Sequence, residues 1–199
     1  MQLRNVTIKA GVNSAYSFYH NNNTTNNPNG GMFTSDINGG TIEGGLFFSG
    51  SGDDITIRDT LIPHNFGTSA DNLGLLVQCV AGAGSFMLDH INFSQSGGVI
   101  FDAAYSPIII NSQFEAQATS TEPNGALVDI RAGTGIVSIK IRNNQFQGGA
   151  AAGAPILLRL GSGVTNAVVD GNAFATNTTY VPVSNACATL QLGPNYWNV

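Results

Sequence analysis

Ile139-Lys140-Ile141-Arg142-Asn143-Asn144-Gln145-Phe146 is the stretch on which the fold turns. Ile139 and Ile141 alternate with polar neighbours, the period-two mark of a strand with one buried face. Asn143 and Asn144 then interrupt it. Asparagine tolerates left-handed backbone and bonds nearby backbone groups, so it suits a bend between strands. Phe146 restores an apolar position beyond the bend. The same phrase returns as Ile55-Thr56-Ile57 with Ile62, Phe86-Met87-Leu88 with Phe93, and Ile108-Ile109-Ile110 with Phe114. It continues as Val168-Val169 with Phe174 and Leu190-Gln191-Leu192 with Trp197, and weaker copies sit at Ile8 and at Ile37 with Ile42. The central apolar positions read as 8, 37, 57, 88, 110, 141, 169 and 192, separated by 20 to 31 residues. One phrase recurring in fixed order is the signature of a stacked repeat, in which each copy buries its apolar side against the next.

A second strand precedes most copies: Leu46-Phe47-Phe48, Leu75-Leu76-Val77, Val99-Ile100-Phe101, Leu127 to Ile130, and Ile156 to Leu160. Gly50-Ser51-Gly52, Gly82-Ala83-Gly84, Gly133-Thr134-Gly135 and Gly161-Ser162-Gly163 connect the two strands in four copies. A nucleotide-binding loop would need a third glycine and a following helix, so this recurring Gly-x-Gly reads as a corner. Asn144, Asn172 and Asn195 mark the second corner and are placed to stack their amides in a ladder. The following Phe146, Phe174 and Trp197 then point inward and stack as well. A β-sandwich would also give short strands and glycine turns, but not the same corner in the same order. The expected fold is all-β: one domain over residues 1–199, a single-stranded right-handed parallel β-helix of about seven or eight coils.

Composition agrees. Charged residues are 10% of the chain and hydrophobic ones 42%, while 25 glycines and 22 asparagines supply turns rather than disorder. A net charge of −5 with seven Lys and Arg carries no nucleic-acid footprint. No apolar run reaches the length of a membrane-spanning helix, and the first residues, Met1 to Thr7, have no signal-peptide core. Cys79 and Cys187 match no metal or redox spacing and are expected to be buried structural thiols. Neither end of the sequence offers a capping helix, so either the sequence is a piece of a longer chain or the terminal coils are expected to be covered by other chains.

On these phrases the chain resembles the pectate-lyase-like parallel β-helix superfamily, which includes polysaccharide lyases and hydrolases, phage tailspikes and other virion proteins. For the enzymes, the resemblance implies Ca²⁺ held by carboxylates with an Arg or Lys base in lyases, or clustered Asp in hydrolases. Leu88-Asp89-His90-Ile91-Asn92-Phe93 is similar to the Asp-His phrase of pectate lyases. The Arg-x-Pro-x-x-Arg segment of the lyases and the Gly-His-Gly and Asn-Thr-Asp phrases of the hydrolases are missing. Aligned on the central apolar residue, the next position reads Arg58, Asp89, Asn111, Arg142, Asp170, and on the other strand Asp129 meets Arg159. Opposite charges then fall on neighbouring coils, which makes ladder pairing the first account of Asp89 and Asp170.

Asp53-Asp54 is the one carboxylate doublet and the candidate metal site, although a Ca²⁺ site wants six or more oxygens. His20 and His64 read as surface residues in polar loops, and the aromatic and Asn-rich stretch from Tyr16 to Gly31 reads as a loop excursion. The function expected is structural: a bacteriophage virion component, either a capsid decoration (cement) protein or a short spike. It would form a homotrimer against other virion proteins such as the capsid shell, possess no catalytic residue, and need no cofactor, nucleic acid or membrane. A host surface glycan is a further candidate partner. The alternative is a secreted or virion-borne polysaccharide lyase or hydrolase using Asp89, His90, Asp59 and Asp170, with Ca²⁺ as its cofactor. A glycan-binding adhesin domain is a third reading.

Overall fold

The structure, a computed structural model, describes residues 1–9, 18–22, 34–43, 46–50, 54–63, 75–79, 85–94, 99–102, 106–115, 126–131, 138–147, 156–175 and 181–198. Among these residues there is no helix, and so none long and apolar enough to cross a membrane. Every strand pairing is parallel and joins one copy of the sequence phrase to the next, so each copy forms a rung of a stack.

Two sheets result. In the larger one, β3 (Thr34–Glu43) is a bent strand from which two arms run. The first arm is β5 (Asp54–Arg58), β8 (Ser85–Asp89), β11 (Ser106–Ile110), β14 (Ser138–Arg142), β17 (Asn166–Asp170) and β20 (Thr189–Leu192). The second is β6 (Leu61–Pro63), β9 (Asn92–Ser94), β12 (Gln113–Glu115), β15 (Gln145–Gln147), β18 (Ala173–Ala175) and β21 (Tyr196–Asn198). β1 (Gln2–Lys9) pairs with β3. The smaller sheet runs β2 (Phe18–Asn22), β4 (Leu46–Gly50), β7 (Leu75–Cys79), β10 (Val99–Asp102), β13 (Ala126–Ile130), β16 (Ile156–Leu160) and β19 (Val181–Asn185).

From β5 to β17 the first-arm strands bury every second residue, whereas all five residues of β13 are buried, as happens where a parallel sheet is covered on both faces. The core is a set of columns. Ile57, Leu88, Ile109, Ile141 and Val169 form one and are buried to within 0% exposure. Phe93, Phe114, Phe146, Phe174 and Trp197 form another, with ring centroids 4.8 to 5.2 Å apart and planes within 14°. Parallel rungs about 4.8 Å apart impose that spacing on identical rings.

Three sequence assignments shift. Ile109, not Ile110, is the central residue of its rung, so Ile110 rather than Asn111 stands between Asp89 and Arg142. In the first rung Leu3 aligns with Ile37, and Ile8 aligns with Ile42 as the residue beyond the bend. His20 lies in β2, paired in register with Phe48, instead of in a loop. Of the four Gly-x-Gly corners, Gly161-Ser162-Gly163 lies wholly within the described residues and forms a turn, closed by a Val164 N–H to Gly161 carbonyl bond of 3.2 Å. The other three corners lie at least in part outside them, as does the stretch from Tyr16 to Gly31.

Candidate functional site

The bend between the two arms gathers the residues with chemistry. Its corner is a column in left-handed backbone: Asn5, Asp59, His90, Asn111 and Asn143 with φ between 50° and 56°, and Gly39 and Gly171. Side chains with local hydrogen-bonding ability meet the strain of that conformation best, and glycine meets it freely. At Gly171 a Cβ would also collide with the Asn143 side chain. The left-handed residue is therefore Asn143, one position before the corner assigned from sequence, and Asn144 has a different task.

Asn144, Asn172 and Asn195 form a ladder just inside the bend. Each Oδ1 accepts the backbone N–H of the residue one rung earlier: Ser112 to Asn144 at 2.9 Å, Asn144 to Asn172 at 3.0 Å and Asn172 to Asn195 at 3.0 Å. Each Nδ2 donates to a carbonyl of the previous rung, namely Ile109, Ile141 and Val169. Ser112 does half of this, accepting the Ile91 N–H at 3.1 Å.

Outside the bend lies an open groove of about 550 Å³. His90, Asn111 and Asn143 line one side, Asn92, Gln113 and Gln145 the other, and Tyr196 closes one end. No Asp or Glu is among its lining residues. The row Asn92, Gln113, Gln145 was legible in principle: each immediately precedes an inward phenylalanine, so alternation turns it outward. This amide-lined wall offers donors and acceptors at one-rung intervals without net charge.

At the head of the groove the His90 Nδ1 lies 2.8 Å from the Asp89 Oδ1, which also accepts from the Asn111 amide at 2.9 Å. Asp59 occupies the corner one rung before His90. Asp170 is three rungs beyond Asp89 and bonded to Arg142 at 2.8 Å. The structure thus brings Asp59, Asp89 and His90 to neighbouring rungs and leaves Asp170 apart. Among the described residues no three His, Cys, Asp or Glu side chains gather to hold a metal ion. Asp54 accepts the Ser85 N–H and hydroxyl at 3.1 and 2.6 Å; Asp53 and His64 lie outside the described residues.

Two of the three expected charge pairs form: Arg142–Asp170, and Arg159–Asp129 at 3.1 Å. Arg58 sits in register with Asp89 but bonds Asp36 at 3.0 Å, because Asp89 is taken by its nearer donors His90 and Asn111. Arg142 and Asp170 are both partly exposed, at 48% and 29%. Replacing either with Ala is expected to cost under about 1 kcal/mol in a denaturant titration. Asp129 is the opposite case, 1% exposed beneath Arg131 and Arg159. Cys187 is half-buried rather than core, and burial pushes its thiol above the ordinary range, so it stays protonated and unreactive near neutrality. The side chain of Cys79 lies outside the description.

Compared with known protein families, curated proteins and solved structures, the chain matches none.

Proposed function

We propose that the rungs wind as a right-handed parallel β-helix of seven to eight coils, of the pectate-lyase-like kind, serving as a structural and interaction protein of a bacteriophage virion. Right-handed crossovers are the rule for parallel strands joined within one sheet. The observation that carries the functional reading is how the outward charges are used. Arg142, Arg58 and Arg159 bond Asp170, Asp36 and Asp129 in ladder fashion, and the groove beside them has no carboxylate in its lining. Such a surface suits lasting contact with other proteins, as in a decoration protein or short spike, better than proton transfer. Immunogold labelling and mass spectrometry of purified particles, from cells carrying the gene, should find the chain at fixed copy number. Its absence from particles would refute the reading.

One observation favours the rival, a polysaccharide lyase or hydrolase. Asp89 holds the His90 imidazole by its Nδ1–H at the mouth of a polar groove, leaving Nε2 to take a proton from a bound sugar. On that reading an acidic glycan incubated with the protein releases reducing ends or unsaturated sugars, and Asp89→Asn lowers the rate by roughly 100-fold or more. A Ca²⁺-dependent lyase would also lose activity to a chelator. An unchanged glycan panel would remove this alternative.

A further inference from the structure

The outward face of the first arm carries an apolar centre that the core does not use. Ile108 and Ile110 both point away from the buried Ile109, and with Met87 and Val168 they are only partly buried. Two columns hold them: Thr56, Met87, Ile108, Lys140, Val168, and beside it Arg58, Asp89, Ile110, Arg142, Asp170. An apolar centre rimmed by charge is the anatomy of a protein interface.

The order of the charges selects the partner. Along the second column it reads plus, minus, Ile, plus, minus. Rotated by 180° about a line along β11, the same column reads minus, plus, Ile, minus, plus. Arg58 then meets Asp170 of a second copy, Asp89 meets its Arg142, and Ile108 and Ile110 meet their own counterparts. Every charge in the column finds its opposite. In the first column this rotation sets Lys140 against Met87; a two-fold axis along the stack would instead set Arg142 against Lys140, like against like, and leave Asp89 facing Met87 and Asp170 facing Val168. The four charged side chains are 25–48% exposed, so each can reach outward while keeping its bond within the chain.

From this pattern we infer that a second copy of the chain docks on the outward face of β5, β8, β11, β14 and β17 about a two-fold axis along β11, with its rungs stacked in the reverse order. The inference stands whether or not the chain rides on a virion. Five rungs at about 4.8 Å by five residues at about 3.3 Å give roughly 400 Å² per copy, below the size of a standard stable interface, so the dimer is a reversible one. Being charge-steered, it weakens as salt rises.

Sedimentation velocity over a concentration series tests it. The native chain is expected to pass from monomer to dimer, and Asp89→Arg or Arg142→Asp alone to raise the dissociation constant roughly tenfold or more, because each sets like charges face to face. Mixing these two single variants should restore dimers as heterodimers. The double variant Asp89→Arg/Arg142→Asp should dimerise again, although within one copy it puts like charges on neighbouring rungs. A role confined to the single chain predicts the reverse for that double variant: a lower melting temperature and no gain in association. Ile110→Glu sets two carboxylates together at the axis and is expected to abolish the dimer with the fold intact, which covers the case in which a charge swap fails to fold. A monomer throughout, a trimer, or a dimer indifferent to these substitutions overturns the proposal.

Discussion

Phe146→Ala is expected to remove about 3–5 kcal/mol of folding stability, a large part of what a domain of this size possesses. Phe146 is 0% exposed and lies between Phe114 at 5.2 Å and Phe174 at 4.8 Å, with interplanar angles of 12° and 6°. Truncation opens a ring-sized void and ends two stacked contacts, each worth roughly 0.5–1.5 kcal/mol beyond area burial. The void cannot close easily, since the rungs on both sides are fixed by backbone ladders at Gln113–Gln145 and Gln145–Ala173. Phe146→Leu, which keeps apolar volume but loses the ring pairs, should fall between Ala and the native residue. Urea titration gives the result as a shifted midpoint with unchanged slope. Trp197, the only tryptophan and the last ring of the stack, supplies the fluorescence signal. A loss near that of Arg142→Ala would mean that this column does not hold the stack together.

The all-β, parallel stacking of the strands was legible because the phrase fixes both spacing and chemistry. What slipped was chiefly register, where the local signal vanishes. Three consecutive isoleucines, Ile108 to Ile110, have no alternation to say which one faces in. The information lay further along the chain: in every rung the central residue precedes the inward residue beyond the bend by five positions. Leu3 with Ile8, Ile57 with Ile62, Leu88 with Phe93, Ile141 with Phe146 and Val169 with Phe174 all obey it. Counting back from Phe114 gives Ile109, and counting back from Ile8 gives Leu3, the two places where matching apolar residues alone misleads. The slip mattered for function, because it hid Ile108 and Ile110 as outward residues and placed Asn111 in a column that belongs to Ile110. The site was legible only in part. His90 follows from the corner pattern, but the preference of Arg58 for Asp36 over Asp89 depends on side-chain reach and on competing donors, which spacing does not encode.

Asn172→Ala is expected to cost about 2–4 kcal/mol, although it deletes a residue type that normally prefers water, because it orphans buried backbone groups. Asn172 is 0% exposed. Its Oδ1 satisfies the Asn144 N–H at 3.0 Å and its Nδ2 the Ile141 carbonyl at 2.9 Å. Ser112 supplies the internal control. Its hydroxyl occupies the equivalent place two rungs earlier and accepts the Ile91 N–H at 3.1 Å, so a serine can meet the donor half of the demand. Asn172→Ser should therefore recover part of what Ala loses, leaving chiefly the Ile141 carbonyl without a partner. Hydrogen exchange at the Asn144 amide separates the two variants: fast in Ala, protected in Ser. Equal small losses in both, with that amide still protected in the Ala variant, would show that the bend holds its shape without the ladder. Stability here rests on satisfying the backbone at a corner that every rung must turn, so the polar asparagine and the apolar phenylalanine two residues later belong to one device.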